Sequence, residues 1–274
     1  MKIAIQGEPG SFSHEAALSI DSQATIVPCP LSAEVFAQLA EGKVDAAAIP
    51  IENSLAGSVL EHYDLLLRFD VAVESELLLR IRHNLIVLPG TKIEALRRVS
   101  SHPVALAQCR RFFEQHPHIT AVPFYDTAGS VKQVIQQQDP SAAAIASARA
   151  ASHFGGEILL SNIEDNPENY TRFFLIRRRQ DLRPAAGPDK VSLAFTVENR
   201  PGTLVSALQV FSGQGTNLTR IESRPVPGRP WEYVFYTDYQ ISDLALADAA
   251  LRLLPQHCSM VRELGRYRAA TRPV

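Results

Sequence analysis

From Lys2 to Ile176 the chain alternates short β-rich or alanine-rich runs with stretches of helical spacing, and this rhythm limits its folds more than any single motif. The extended candidates are Lys2–Gln6, Thr25–Val27, Ala46–Ile49, Ala72–Leu88 as one strand or a broken pair, Ala121–Phe124, Ala143–Ala146 and Arg172–Ile176. Helical spacing marks Ser32–Ala40, Ser58–Arg68, Val104–Gln115, Ala128–Gln137 and Ala148–Phe154. Alternation of this kind predicts an α/β layered domain on a mainly parallel sheet. Ser58 and Glu61 have the spacing of a capping box for the second of these helices. Gln180–Asp189, with Pro184, Gly187 and Pro188, reads as a linker. Beyond it the rhythm changes. Val191–Glu198, Leu204–Phe211, Asn217–Arg224, Trp231–Tyr239, Leu244–Leu254 and Met260–Tyr267 follow in the order βαββαβ, which predicts a ferredoxin-like sandwich.

A net charge of -2 provides no basic field for nucleic acid. No apolar run reaches the roughly 18 residues of a membrane span, and the N-terminus lacks the apolar core of a signal peptide. Cys29, Cys109 and Cys258 are odd in number and far apart, which argues against a disulfide framework and suits a reducing cytoplasm. His116-Pro117-His118 has no Cys, Asp or Glu at ligand spacing, so it reads as a surface loop and no metal is expected. Arg177-Arg178-Arg179 reads as the solvated end of a strand.

Polar turns follow several of the predicted strands: Gly7–Ser13, Glu52-Asn53-Ser54, Ser101-His102-Pro103 and Asp126-Thr127. In open α/β sheets ligands sit outside the carboxyl ends of strands, where helix N-termini offer free N–H groups to carboxylates. Plainer readings stand beside this one. Ser101 and Thr127 also suit helix N-caps, and Gly7 and Gly10 also suit a turn that needs only backbone freedom, in a segment that is not Gly-x-Gly-x-x-Gly. Asn169-Tyr170-Thr171-Arg172-Phe173 is harder to read as structure alone. It sets a hydroxyl, a guanidinium and a ring at the mouth of an apolar strand, and arginine is costly to bury without a partner.

Taken in order, these segments resemble the prephenate dehydratase family. The resemblance rests on Gly7–Ser13, Pro50–Gly57, Ser101-His102-Pro103 with Gln108-Cys109, Asp126-Thr127-Ala128 and Asn169–Phe173. Asn199–Leu204 and Glu222–Pro225 resemble the ACT regulatory domain that follows this catalytic domain, with Thr203 where the family commonly has alanine. The resemblance implies a catalytic region over residues 1–179, made of two periplasmic-binding-protein-like lobes with a cleft between them, and an ACT domain over 190–269. The first strand begins at Lys2, so a preceding chorismate mutase domain is not expected.

The implied reaction is decarboxylative dehydration of prephenate to phenylpyruvate, without metal or organic cofactor. Thr171, Arg172, Asn53, Ser54 and Gln108 would be catalytic. Glu52, Ser11, Ser101, Asp126, Thr127 and Phe173 would bind substrate. Pro201, Gly202, Thr203, Leu204, Glu222, Ser223, Arg224 and Pro225 would bind phenylalanine as effector in a homodimer or homotetramer. In a regular strand Thr171 and Arg172 point to opposite faces, so both reach one site only where the backbone turns. Arogenate dehydratase and a non-catalytic solute-binding sensor remain as alternative readings.

Overall fold

The computed structural model describes residues 1–226, 228–229, 231–241 and 243–271. The chain runs β1 (Lys2–Gln6), α1 (Phe12–Ile20), β2 (Thr25–Cys29), α2 (Ser32–Ala40), β3 (Ala46–Asn53), β4 (Gly57–Ser58), α3 (Leu60–Arg68) and β5 (Val71–Arg80). It continues through β6 (Asn84–Val87), β7 (Arg98–Ser101), α4 (Pro103–Ala107), α5 (Arg110–Gln115), β8 (Thr120–Pro123), α6 (Thr127–Gln137), β9 (Ala142–Ala146), α7 (Ala148–Phe154), β10 (Glu157–Leu160) and β11 (Tyr170–Arg178). Then come β12 (Lys190–Thr196), α8 (Thr203–Gly213), β13 (Leu218–Pro225), β14 (Tyr233–Gln240), α9 (Leu244–Leu253) and β15 (Met260–Tyr267). The described residues form two compact units, one of 1–59 and 77–173, the other of 60–76 and 174–271.

The first unit holds two sheets. In one, β1 lies parallel between β2 and β3, and β11 joins on the far side of β3. The other has the order β10-β6-β9-β7-β8, with β7 parallel to both β8 and β9. Strand β9 shows how sequence builds this core. All of Ala142–Ala146 is buried; Ala143 and Ile145 face one apolar cluster, while Ala142, Ala144 and Ala146 face another under α6 and α7. Period-two alternation serves both faces, and alanine lets helices pack close on each.

Three local readings change. Val104–Gln115 is not one helix: it breaks at Gln108-Cys109, and the N–H groups of Arg110 and Arg111 that open α5 donate to the Asp165 carboxylate at 2.9 and 3.0 Å. Helix α3 starts at Leu60, and Ser58 instead pairs with Glu52 in a short antiparallel ladder, so the capping-box reading gives way to a hairpin. Helix α1 has no counterpart in the sequence reading because it buries only Ser13, Ala16 and Ala17, small residues with weak apolar periodicity.

In the second unit the order β13-β14-β12-β15-β5 places an antiparallel βαββαβ sheet beside the start of β5. Val191, Leu193 and Phe195 of β12 pack with Ala207, Val210 and Phe211 of α8 and Ala247 and Ala250 of α9, so both helices share one core. Helix α3 also belongs to this unit: Tyr63 packs on Tyr236 with ring centroids 4.7 Å apart, and Arg220 lies 4.6 Å over the Tyr63 ring. Arg177 is not a solvated strand end. It is buried and donates to Glu74 at 2.5 Å. No described helix is long and apolar enough to cross a membrane.

Candidate active site

A cleft of about 860 Å³ opens in the first unit. Its walls come from the turns after β1 and β3, from His83, from the α4 segment and from the Tyr125–Thr127 turn, with Thr171 and Phe173 between them. Among the described residues that line it, none is a lysine or an arginine.

The turn after β1 depends on two glycines. Gly7 and Gly10 have φ of +94° and +90°, which glycine adopts without a Cβ penalty. A Cβ on Gly7 would stand 2.7 Å from the Asp126 carboxylate, and one on Gly10 would stand 2.7 Å from the Ala150 backbone. Ser11 then caps α1, accepting from the His14 N–H at 3.3 Å. Asp126 caps α6 by accepting from the Gly129 N–H at 2.7 Å, so this cap belongs to Asp126 and Thr127 is the first helical residue. Burial pushes the Asp126 carboxyl up; the Gly129 N–H opposes the shift and the charge of Glu8 adds to it. His102 caps α4 through Nδ1, 3.3 Å from the Val104 N–H. Helix N-termini thus face the cleft and supply the positive ends of peptide dipoles.

At the deep end, neutral groups interlock. The Asn53 side-chain nitrogen lies 2.8 Å from Asn169 Oδ1, 3.1 Å from the Tyr170 carbonyl and 3.0 Å from Thr171 Oγ1, its two hydrogens shared among the three acceptors. The Asn169 side-chain nitrogen donates to Gln108 Oε1 at 2.9 Å, and Gln108 Nε2 donates back to Asn53 Oδ1 at 3.3 Å. Three carboxamides therefore close a ring. Its direction is set by the backbone, because Asn53 Oδ1 also accepts the N–H groups of Leu55 and Ala56 at 3.0 and 2.8 Å. Thr171 Oγ1 is consequently an acceptor toward Asn53, and its own proton has no acceptor among the described residues.

Strand alternation sorts the predicted residues. Thr171 and Phe173 line the cleft and Arg172 does not; it is buried behind them, 3.9 Å from Glu52. The proposed entry turn that would bring Thr171 and Arg172 to one face is absent, since β11 is already extended from Tyr170. Glu52 follows the same rule on β3, where Asn53 faces the cleft. Ser54 lies outside the lining. It accepts from the Tyr170 N–H and donates to the Glu168 carbonyl, both at 3.0 Å, and so fixes the start of β11. Ser101 is fully buried, neither a cap nor a cleft residue; its hydroxyl donates to the Ile145 carbonyl at 2.6 Å and ties β7 to β9. Gln108 does face the cleft, because the helix break frees its side chain.

Sequence reading missed His83, whose Nε2 stands 2.9 Å from Gln108 Oε1. It gave Asn169 no role of its own. A signal for His83 was available: Arg82-His83-Asn84 is a polar interruption between the apolar stretches Leu77–Leu79 and Leu85–Leu88.

In the second unit, Gly202 caps α8 and the single Thr203 hydroxyl proton is shared between the carbonyls of Glu198 and Arg200, 2.6 and 2.9 Å from Oγ1, so Thr203 stabilises its own turn. Glu222, Ser223, Arg224 and Pro225 lie on β13, the edge of its sheet among the described residues. Arg224 is engaged by Asp64 of α3, with Nε 2.7 and 2.8 Å from the two carboxylate oxygens.

Among the described residues no group of three or more His, Cys, Asp or Glu is placed to hold a metal ion. The family model for prephenate dehydratase matches residues 3–181, and that for the ACT domain matches 191–242. Arogenate dehydratase/prephenate dehydratase 2, chloroplastic, of Arabidopsis thaliana is 38% identical over 277 residues, covering 97% of this chain and 72% of that one. The prephenate dehydratase of Arthrobacter aurescens, solved in complex with L-Phe, has a TM-score of 0.90 at 31% identity and covers 98% of this chain and 90% of that one. A further solved structure, described as GqqA, a novel type of quorum quenching acylase, has a TM-score of 0.89 at 34% identity over 98% of both chains.

Proposed function

The chain belongs to the prephenate dehydratase family, and we propose from its cleft that it converts prephenate to phenylpyruvate, carbon dioxide and water, with phenylalanine as regulator. The supporting observation is the Thr171 hydroxyl, whose oxygen is occupied by Asn53 and whose proton is directed to no protein group. As the ring carboxylate leaves, the electron pair of its C–C bond enters the ring and the ring C–O bond breaks toward oxygen. The departing hydroxide needs a donor, and Thr171 supplies it as a hydrogen bond. Threonine is too weak an acid to give its proton outright, so one solvent proton is consumed per turnover to convert the departing hydroxide to water. Phe173 packs beside the ring. Ser11, Thr127 and the N-termini of α1 and α6 receive the carboxylates in place of cations. Arg172 acts from behind by bracing Glu52 and β3.

Arogenate, which carries an ammonium where prephenate carries a keto oxygen, is the second reading. It is favoured by the Asp126 carboxyl on the cleft wall, beside a Glu8 already paired with Lys132 at 3.2 Å, and by the double name of the Arabidopsis relative. Phenylalanine would bind at Pro201–Leu204 and Glu222–Pro225, with two chains joining their β13 edges to complete the sites, in a homodimer or a dimer of dimers. Free Cys29, Cys109 and Cys258 suit the cytoplasm. The test is turnover of prephenate and arogenate side by side, with and without phenylalanine. Formation of the aromatic product at enzymatic rates supports the reading; turnover of neither substrate overturns it.

A further inference from the structure

We propose that His83 is a positioning residue for this dehydration: held as the Nε2–H tautomer, it locks the Gln108 carboxamide and, through Asn53, aims the Thr171 hydroxyl. The inference rests on the dehydratase reading for its kinetics and on geometry alone for the tautomer.

The tautomer follows from the ring of amides. Backbone N–H groups make Asn53 Oδ1 an acceptor, so the Gln108 atom that meets it must be the nitrogen. Gln108 Oε1 is then the atom facing His83 Nε2 at 2.9 Å, and an oxygen without hydrogens can only accept. The proton of the imidazole therefore sits on Nε2. The other nitrogen is buried with no hydrogen-bond partner among the described residues, in a residue only 2% exposed.

An imidazole with one unpaired nitrogen is costly to bury, and an apolar side chain would fill the same space without that cost. What His83 adds is the Nε2–H bond to Gln108. Phe12 closes on the imidazole edge-on at 5.6 Å and holds its plane. The Glu164 carboxylate accepts the His83 backbone N–H at 2.9 Å, so the main chain is fixed as well. Burial keeps the ring from charging near neutral pH, although the Gln108 bond and the Glu164 charge act the other way. Without the His83 donor, Gln108 Oε1 keeps only Asn169 as a donor, and its carboxamide is held less firmly against the 3.3 Å bond to Asn53. Asn53 is then held less firmly in turn, and its bond to Thr171 loosens.

The experiment compares His83→Leu and His83→Gln with the wild type in kcat and KM across pH, and reads the tautomer from the ¹⁵N imidazole spectrum of the wild-type protein. Glutamine offers an N–H near the Nε2 position; leucine offers none. We expect His83→Leu to lose about 10- to 100-fold in kcat with KM within about threefold, since misplaced catalytic groups cost rate before binding. His83→Gln should recover most of kcat, and its pH profile should keep the wild-type shape. Wild-type kcat in His83→Leu, no recovery in His83→Gln, or a pH limb that disappears in His83→Gln would each overturn the positioning role. A wild-type spectrum with the proton on Nδ1 would overturn it whatever the substrate. Failure of the wild type on both substrates counts against the dehydratase reading alone, and the spectrum still decides the tautomer.

Discussion

The cleft and the C-terminal unit hold their polar groups in opposite ways. In the cleft, Thr171, Asn53, Asn169, Gln108 and His83 are linked by hydrogen bonds between neutral groups. In the second unit the long-range ties include four ion pairs: Arg224 with Asp64, Arg177 with Glu74, Lys190 with Glu76 and Arg266 with Asp248. A closed ring of carboxamides has one consistent donor direction and no charge to screen, so it keeps its orientation when pH or salt changes. Ion pairs answer to salt and to any charged ligand that competes for a partner. The fixed network suits bond breaking, and the responsive one suits regulation.

Thr171→Ala should show the largest effect, a loss on the order of 10²–10³ in kcat with the fold intact, because it removes a positioned donor. Thr171→Ser should recover far more activity; equal rates in the two variants would remove the hydroxyl from the mechanism. Asn53→Asp comes next. It keeps the shape but replaces the NH₂ group with an acceptor facing Thr171 Oγ1 and Asn169 Oδ1, so kcat should fall about 10- to 100-fold at neutral pH. Unchanged kcat would show that the ring of amides is scaffolding only.

Asp64→Asn tests the other half of the comparison. Turnover without phenylalanine should stay within about twofold, while the phenylalanine concentration for half-effect should move several-fold, in line with couplings of roughly 1–3 kcal/mol. An unaltered dose response, measured by titrating activity and by calorimetry, would separate the Arg224–Asp64 pair from regulation. Arg172→Lys should give the smallest change in rate, within a few-fold in kcat/KM. Its cost should appear as stability, about 1 kcal/mol by denaturant melts, since lysine lacks the planar fork. A kcat/KM loss well beyond that would place Arg172 in direct contact with substrate.

The fold was legible where alternation is strong. Ser32–Ala40, Ala148–Phe154 and Met260–Tyr267 lie where the pattern put them. Reading failed where small residues blur the period, as in α1, and where a distant residue breaks a helix, as Asp165 does at α5. The same limit applies to the site. Thr171, Asn53 and Gln108 could be picked out as motif residues, yet the direction of Arg172 followed only from an unbroken strand. His83 joins Gln108 across 25 residues of chain, a partnership that no local pattern encodes.

A cleft walled by helix N-termini and hydroxyls, without lysine or arginine among its described lining residues, also bears on how the product leaves. Prephenate enters with two carboxylates and phenylpyruvate departs with one, so decarboxylation itself removes half of the anionic grip. Each helix-end contact is worth about 0.3–1 kcal/mol when exposed. A guanidinium fork would hold the remaining carboxylate more tightly. A site made of many weak dipoles gives up ground-state affinity for prompt exit, and the strand alternation that points Arg172 away from the cleft favours turnover over retention.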